Sequence, residues 1–332
     1  MQDIMQLVET FLKIGSVSGE EGVLAACIAE LARPYADEVF TDTLGNLIVR
    51  KRACGPKLML CAHMDTTGLL ATHVDKSGFV RFAPVGGLSA TDILGAAVVF
   101  SCGTGAVVHY EEKTKLPDLE LSHFYIDAGA SDCAASTVRV GDRARFAGAA
   151  FETNGRLVSP YLDNYAGCAV LLRTLALVQE PKNDLCFVFS VQEEVGLRGA
   201  RTSAFAIEPD WALVVDVTNA LDIPEPSYKN ECRLGGGPAV KLMDSSVVCH
   251  PGVVKHLEEC AGNRGIAFQY DILEEGGTDA GAISLSGAGV PAGGVSIPTR
   301  YIHTAHEMAD LSDISSCVSL LCAAMQATPV FA

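Results

Sequence analysis

The sequence predicts an α/β protein: a mostly parallel, twisted sheet with helices on both faces, interrupted by an inserted all-β unit. Three observations predict it. Beyond Tyr161, apolar strand runs alternate with segments of helical period, the pattern of a sheet covered on both sides. Between about Leu69 and Asn154 the texture changes to short β segments separated by turn residues, with no helical period. The length, 332 residues, suits two domains of about 150 residues each, or one α/β domain carrying an insertion. The expected division is a discontinuous α/β unit, residues 1–68 and 155–332, around an insert at 69–154.

The elements follow in order. Ile4, Leu7, Val8, Phe11 and Leu12 recur at helical spacing, which makes the N-terminal segment an amphipathic helix rather than a secretory signal. Ser18-Gly-Glu-Glu21 reads as a capping box for a second helix running to Arg33, just before Pro34. Val39 to Thr43 and Leu47 to Arg50 form a hairpin, and KLMLCA (57–62) is a buried strand ending at His63-Met-Asp65. In the insert, the segments LLATHV, FVRFAP, AAVVF, AVVHYE, HFYID and DRARFA each read as a strand. Afterwards come a helix from Ala166 to Val178, strand 185–191, helix 197–206, strand 211–217, strand PAVKLM, helix 251–261, strand FQYDI, a short helix from Asp279, strand GGVSI and a helix from Leu311 to about Gln326.

Composition removes several functions. Charged residues are 19% against roughly 25% in an average globular protein, and 49% are hydrophobic, which argues against disorder and coiled coil. The balance of 40 acidic to 24 basic residues, a net charge of −16, disfavours nucleic acid and anionic lipid as partners. Ala166 to Val178, the most apolar stretch, is interrupted by Arg173 and shorter than the ~18 residues of a membrane span. A mean hydropathy of +0.27 with so few charges predicts apolar surface covered by sister subunits. The 12 cysteines contain no CxxC pair and mostly have apolar neighbours, as expected of small core residues in a cytoplasmic protein.

In open α/β sheets ligands collect beyond the carboxyl ends of the strands. His63 and Asp65 follow KLMLCA, Glu193 and Glu194 follow LCFVFSVQ, Asp216 closes WALVVD, His303 follows GGVSIPTRYI, and Asp163 precedes the helix at Ala166. Each has an ordinary structural explanation alone: a satisfied strand-end histidine, a solvated acidic loop, a helix-capping aspartate, a turn residue. Two spacings go further. Residues i and i+2 of a strand face one way, so the Asp65 carboxylate can hold the ring nitrogen of His63 that a metal does not use. Adjacent glutamates repel unless a cation joins them, and their diverging side chains let one ligate while the other stays free as a base. Two histidines, two aspartates and one glutamate give three ligands to each of two ions if Asp163 is shared, leaving room for water and substrate. Nitrogen and oxygen donors without thiolate suit zinc, cobalt or manganese.

The motifs AHMD, LDNYAGCAVLL, QEEVGLRGA, VVDVTNA, GGTDAGAI and PTRYIHTAHEM, in this order, resemble those of the dinuclear-metal glutamyl/leucyl aminopeptidases. That family forms tetrahedral dodecameric particles and also includes proteins described as M-type cellulases. The likeness runs from VSGEEG near the N-terminus to the last helix, and IDAGASD and VGDRARF carry it through the insert. It implies that His63, Asp163 and Asp216 hold one metal and Asp163, Glu194 and His303 the other, with Glu193 as general base and Asp65 orienting His63. It further implies that the insert is an oligomerisation domain, that the partners are peptides and sister subunits, and that GGTDAG (276–281) is a loop near the metals, with no chemical step for Asp279. Thr66 and Asn164-Tyr165 depart from the family pattern, which has an acidic residue and Asp-Arg there. The expected activity is removal of N-terminal residues from short peptides. Two alternatives stand beside it: a glycoside hydrolase of cellulase type, for which one Trp and 7% aromatics supply little sugar-stacking surface, and a catalytically weak, metal-stabilised peptide-binding assembly.

Overall fold

The computed structural model of the chain describes residues 2–226 and 232–331. Helix α1 (Ile4–Ile14) is closed by a capping box between Asp3 and Gln6 and buries Leu7, Val8, Phe11 and Leu12, as their spacing predicts. Helix α2 (Gly22–Ala32) starts where expected, but Ser18 and Glu21 do not cap it; both side chains turn toward other partners, described below. The antiparallel hairpin of β1 (Glu38–Thr41) and β2 (Leu47–Lys51) leads to β3 (Lys57–His63).

The insert closes on itself. Strands β4 (Gly68–Val74), β5 (Val80–Val85), β6 (Ala97–Phe100), β7 (Gly105–Tyr110), β8 (Phe124–Asp127) and β9 (Arg143–Phe146) form a barrel in the order β4-β5-β8-β7-β6-β9, with a single turn of helix, α3 (Ala90–Ile93), between β5 and β6. Each of the six apolar segments supplies one strand, and closure removes the exposed edges that six short strands would otherwise carry. The next strand, β10 (Phe151–Thr153), pairs with β11 (Arg156–Ser159) in the large sheet instead of with a barrel strand.

The rest of the chain adds α4 (Leu162–Leu177), β12 (Asp184–Ser190), α5 (Arg198–Ile207), β13 (Trp211–Asn219), β14 (Ala239–Met243), α6 (Pro251–Arg264), β15 (Gln269–Ile272), α7 (Asp279–Ser284), β16 (Ala292–Arg300), β17 (Glu307–Asp310) and α8 (Leu311–Ala324). Strand order in the large sheet is β1-β2-β12-β3-β13-β16-β17-β11-β10, with β14 pairing β15 and β16. The sheet is parallel through its centre, β12-β3-β13-β16, and antiparallel toward β1 and β10. Alternate residues of β3 serve two cores: Leu58, Leu60 and Ala62 meet the face where α1, α4 and α8 pack, while Met59 and Cys61 join Ala200, Ala204 and Ile283 of α5 and α7. Helix α4, buried along most of its length, is the central helix of the first face. Among the described residues no helix is long and apolar enough to cross a membrane.

Candidate metal centre

The carboxyl ends of the four central strands deliver the site. His63 is the last residue of β3, Glu193 and Glu194 follow β12, Asp216 lies in β13, and His303 sits in the turn between β16 and β17. Asp163 enters at the start of α4, where Asp163 and Asn164 have non-helical backbone angles, so its carboxylate faces the sheet instead of capping the helix. The sequence predicts a strand over 211–217, but β13 runs on to Asn219 because the register Asp216↔Ser296 to Asn219↔Thr299 keeps it paired with β16.

All seven sequence-predicted residues converge. Asp163 stands between the two histidines: His63 Nε2 is 3.1 Å from its Oδ1 and His303 Nε2 is 3.2 Å from its Oδ2. Asp216 Oδ1 lies 3.5 Å from His63 Nε2, and Glu194 Oε2 lies 3.5 Å from His303 Nε2. The sets His63/Asp163/Asp216 and Asp163/Glu194/His303 each place their ligand atoms within 4.8 Å of one another. Both imidazoles are fixed from behind, His63 Nδ1 at 2.9 Å from the Asp65 carbonyl and His303 Nδ1 at 2.7 Å from the Gly87 carbonyl. A carbonyl only accepts, so each Nδ1 carries the proton and each Nε2 points toward Asp163.

Asp65, the expected orienter of His63, meets the ring with its backbone carbonyl and not with its carboxylate. Its carboxylate Oδ1 is 3.6 Å from Nδ1, because β3 ends at His63 and the i, i+2 alternation ends with it. The carboxylate instead accepts from the backbone N–H of Glu193 (2.9 Å) and of Glu194 (3.2 Å), and from Ser18 Oγ (2.7 Å). It thereby pins the two glutamates. Glu21 helps by accepting from Gln192 N at 3.1 Å and from Gly19 N at 2.8 Å. The residues that looked like a capping box are thus spent on the loop that carries Glu193 and Glu194.

Glu307 is the residue that sequence reasoning missed. Buried at the start of β17, its Oε2 accepts from Asp163 N and its Oε1 from His303 N, both at 2.8 Å. Its position four residues after His303 carries no periodic signal, since a turn separates them; His306, nearer in sequence, is exposed. Asn164 and Tyr165 are buried supports: Asn164 donates to the Val215 carbonyl and accepts from Gly167 N, and the Tyr165 hydroxyl meets Ser16 Oγ at 2.9 Å.

The electrostatics suit a cation. Five carboxylates, Asp163, Glu193, Glu194, Asp216 and Glu307, face two imidazoles. Burial, with Asp163 next, pushes Glu194 up to about 8, and burial drives Glu193 and Glu307 well above the usual carboxylate range. Burial works against ionised Asp163 too, but hydrogen bonds from His303 and His63 outweigh it and hold it low. The histidines answer in kind: against burial, Asp163 and Glu194 lift His303 to about 10, and Glu193 and Asp216 raise His63. Glu194 Oε1 is buried without a hydrogen-bond partner. Oxygen and nitrogen donors, an excess of buried negative charge and an orphaned carboxylate oxygen all fit divalent ions.

The cluster opens into a cavity of about 510 Å³ with Leu197, Val217, Leu273 and Ile302 on its wall and Glu275, Gly276 and Gly277 among its other lining residues. No Lys or Arg lines it among the described residues.

Residues 45–320 match the family model of M42 glutamyl aminopeptidases. A candidate aminopeptidase of Acetivibrio thermocellus is 46% identical over 323 residues, covering 96% of this chain and 98% of that protein. Among solved structures, an aminopeptidase of the archaeon Desulfurococcus kamchatkensis superposes with a TM-score of 0.93 at 34% identity, covering 98% of this chain and 95% of that one. The TET1 peptidase of Pyrococcus horikoshii, which can assemble into a tetrahedron or a large octahedral shell, gives 0.88 at 27% identity over 97% and 99% of the two chains. A Thermotoga maritima structure named an endoglucanase gives 0.82 at 31% identity over 96% of each.

Proposed function

This chain belongs to the M42 glutamyl aminopeptidase family, a family of metal-dependent aminopeptidases, and from that premise we propose that it removes N-terminal residues from peptides at a two-ion site with Glu193 as general base. The observation that carries the proposal is the placement of Asp163, with one oxygen beside each histidine Nε2. In this reading His63, Asp163 and Asp216 hold one divalent ion, and Asp163, Glu194 and His303 the other. Zinc suits these donors, and cobalt or manganese would also. When bound, such ions supply Lewis acidity, which acidifies a water molecule and polarises the scissile carbonyl.

The remaining steps belong to the chain's own groups. Glu193 lines the cavity with Oε2 4.0 Å from His63 Nε2, beside the ligand set without belonging to either triad. It takes the proton of the attacking water and returns it to the leaving amine. Asp65 holds the backbone of Glu193, so the base keeps its direction while its neighbour Glu194 stays with the ion. The substrate's first side chain lies against Leu197, Leu273 and Ile302, and carboxylates around the cavity receive its free ammonium. The deciding experiment is Glu193→Gln: metal content should stay at the wild-type level while turnover of aminoacyl anilides falls at least ~100-fold. Near-normal turnover would remove Glu193 from the mechanism.

The glycosidase alternative has less support. Trp211 is fully buried, and no Phe, Tyr or Trp lines the cavity among the described residues. We further propose that the chain assembles as a homo-oligomer, a dodecamer, with the barrel as an assembly element and a cytoplasmic location. Support comes from the TET1 relative and from exposed Val107, Leu116 and Val140 on and beside the barrel strands. Light scattering that returns a monomer mass at micromolar concentration would end that proposal.

A further inference from the structure

A buried acid beneath the site has no part in the reaction just described. Asp279, at the first turn of α7, is 1% exposed. Its Oδ2 accepts from Ser190 Oγ at 2.5 Å and from Cys61 Sγ at 3.3 Å, while its Oδ1 is buried with no partner. Cys61 lies two residues before His63 in β3; Ser190 ends β12, is the register partner of His63, and precedes Glu193 by three residues. One carboxylate oxygen therefore joins the two strand ends that present a proposed ligand, His63, and the proposed base and ligand, Glu193 and Glu194.

The anchor itself is fixed from the far side. Thr278, the residue before Asp279, donates to Asp244 Oδ2 at 2.8 Å, and Asp244 lies 3.9 Å from buried Lys241 Nζ, which pairs with Asp271 at 2.5 Å. On the opposite face of the sheet, Cys168 of α4 donates to the His63 carbonyl at 3.1 Å. The end of β3 is held from both faces. Burying a carboxylate with one oxygen unpartnered is costly, and folding alone does not require it, because an apolar residue of similar size would close the same gap at lower cost.

We propose that Asp279 is a positioning residue of the hydrolytic site, an acceptor that clamps Ser190 of β12 to Cys61 of β3 and so sets the spacing between His63 and the Glu193–Glu194 pair. The proposal rests on the two-ion reading above for what those three residues do, but the clamp can be read without turnover.

The test uses the full chain and four variants: Asp279→Ala, Asp279→Asn, Ser190→Ala and the double alanine. Zinc affinity is measured by competition with a chromophoric chelator, and kcat and KM on leucyl anilide. Asp279→Ala should lose about 10- to 100-fold in zinc affinity and in kcat, the range found for partners that orient metal ligands, with KM changed less than about threefold. Asp279→Asn keeps an acceptor for Ser190 and should recover most of both losses. Ser190→Ala should reproduce much of the effect, and the double variant should be no worse than Asp279→Ala, since the two act through one bond. If Asp279→Ala does not fold, Ser190→Ala alone decides. Wild-type affinity and kcat in the folded alanine variants, additive losses, or a loss confined to KM would overturn the clamp. A wild-type protein that binds zinc but hydrolyses no aminoacyl substrate would overturn the peptidase reading instead, leaving the zinc competition to judge the clamp.

Discussion

Replacing Glu307 by Gln tests how the site is held, and its size follows from two hydrogen bonds. The Glu307 carboxylate accepts from Asp163 N and His303 N at 2.8 Å each, in a place sealed from solvent. An amide can accept only one of them; its NH₂ then faces the other N–H. A buried donor left unsatisfied costs about 1–3 kcal/mol. At about 1.4 kcal/mol per factor of ten, that amounts to roughly a 5- to 150-fold weakening of whatever depends on both backbones. The two triads do not depend on them equally: Asp163 and His303 are two of three members in the Asp163/Glu194/His303 set, but Asp163 alone belongs to His63/Asp163/Asp216. Calorimetric titration of metal-free protein with zinc should therefore show one site weakened much more than the other. Equal weakening of both sites, or none, would refute the reasoning.

Three further outcomes follow from the same geometry. His303 is raised to about 10 from 6.5, so an incoming ion must displace its proton; zinc affinity should climb as pH rises toward that value, with proton uptake by the buffer measurable in titrations. In the metal-free protein the same raised value contributes stability that is complete below about 6.5 and fades as pH rises through about 10, and metal-free melting curves should follow that direction. The cavity carries Glu275 and, among the described residues, no Lys or Arg, so leucyl and lysyl anilides should exceed glutamyl anilide in kcat/KM; a preference for Glu would show that the wall has been misread.

Much of the architecture is legible in the chain because burial leaves a periodic trace. The six apolar segments of the insert become the six barrel strands, and KLMLCAH, apolar on both faces, becomes a central strand of the sheet. The seven side chains could be picked out because strand ends are where a parallel sheet exposes polar groups, and because acidic pairs there are hard to explain otherwise. Interactions between distant segments leave no such trace. Ser18 and Glu21 have the spacing of a helix cap, yet they serve Asp65 and Gln192, since a hydroxyl donates to, and a carboxylate accepts from, whichever partner the fold brings near. Asp65 follows the i+2 rule in sequence, yet reaches His63 through its carbonyl once the strand has ended.

The sequence by itself determined which residue types stand at the ends of which strands, and with them the family and a candidate donor set. Only the tertiary structure decided that Asp163 lies between the two histidines, that Glu307 accepts from the backbones of both Asp163 and His303, and that Asp279 accepts from Ser190. The reason is physical: local periodicity encodes which face of an element is buried, whereas a hydrogen bond between residues 144 or 89 positions apart exists only after packing has fixed both ends.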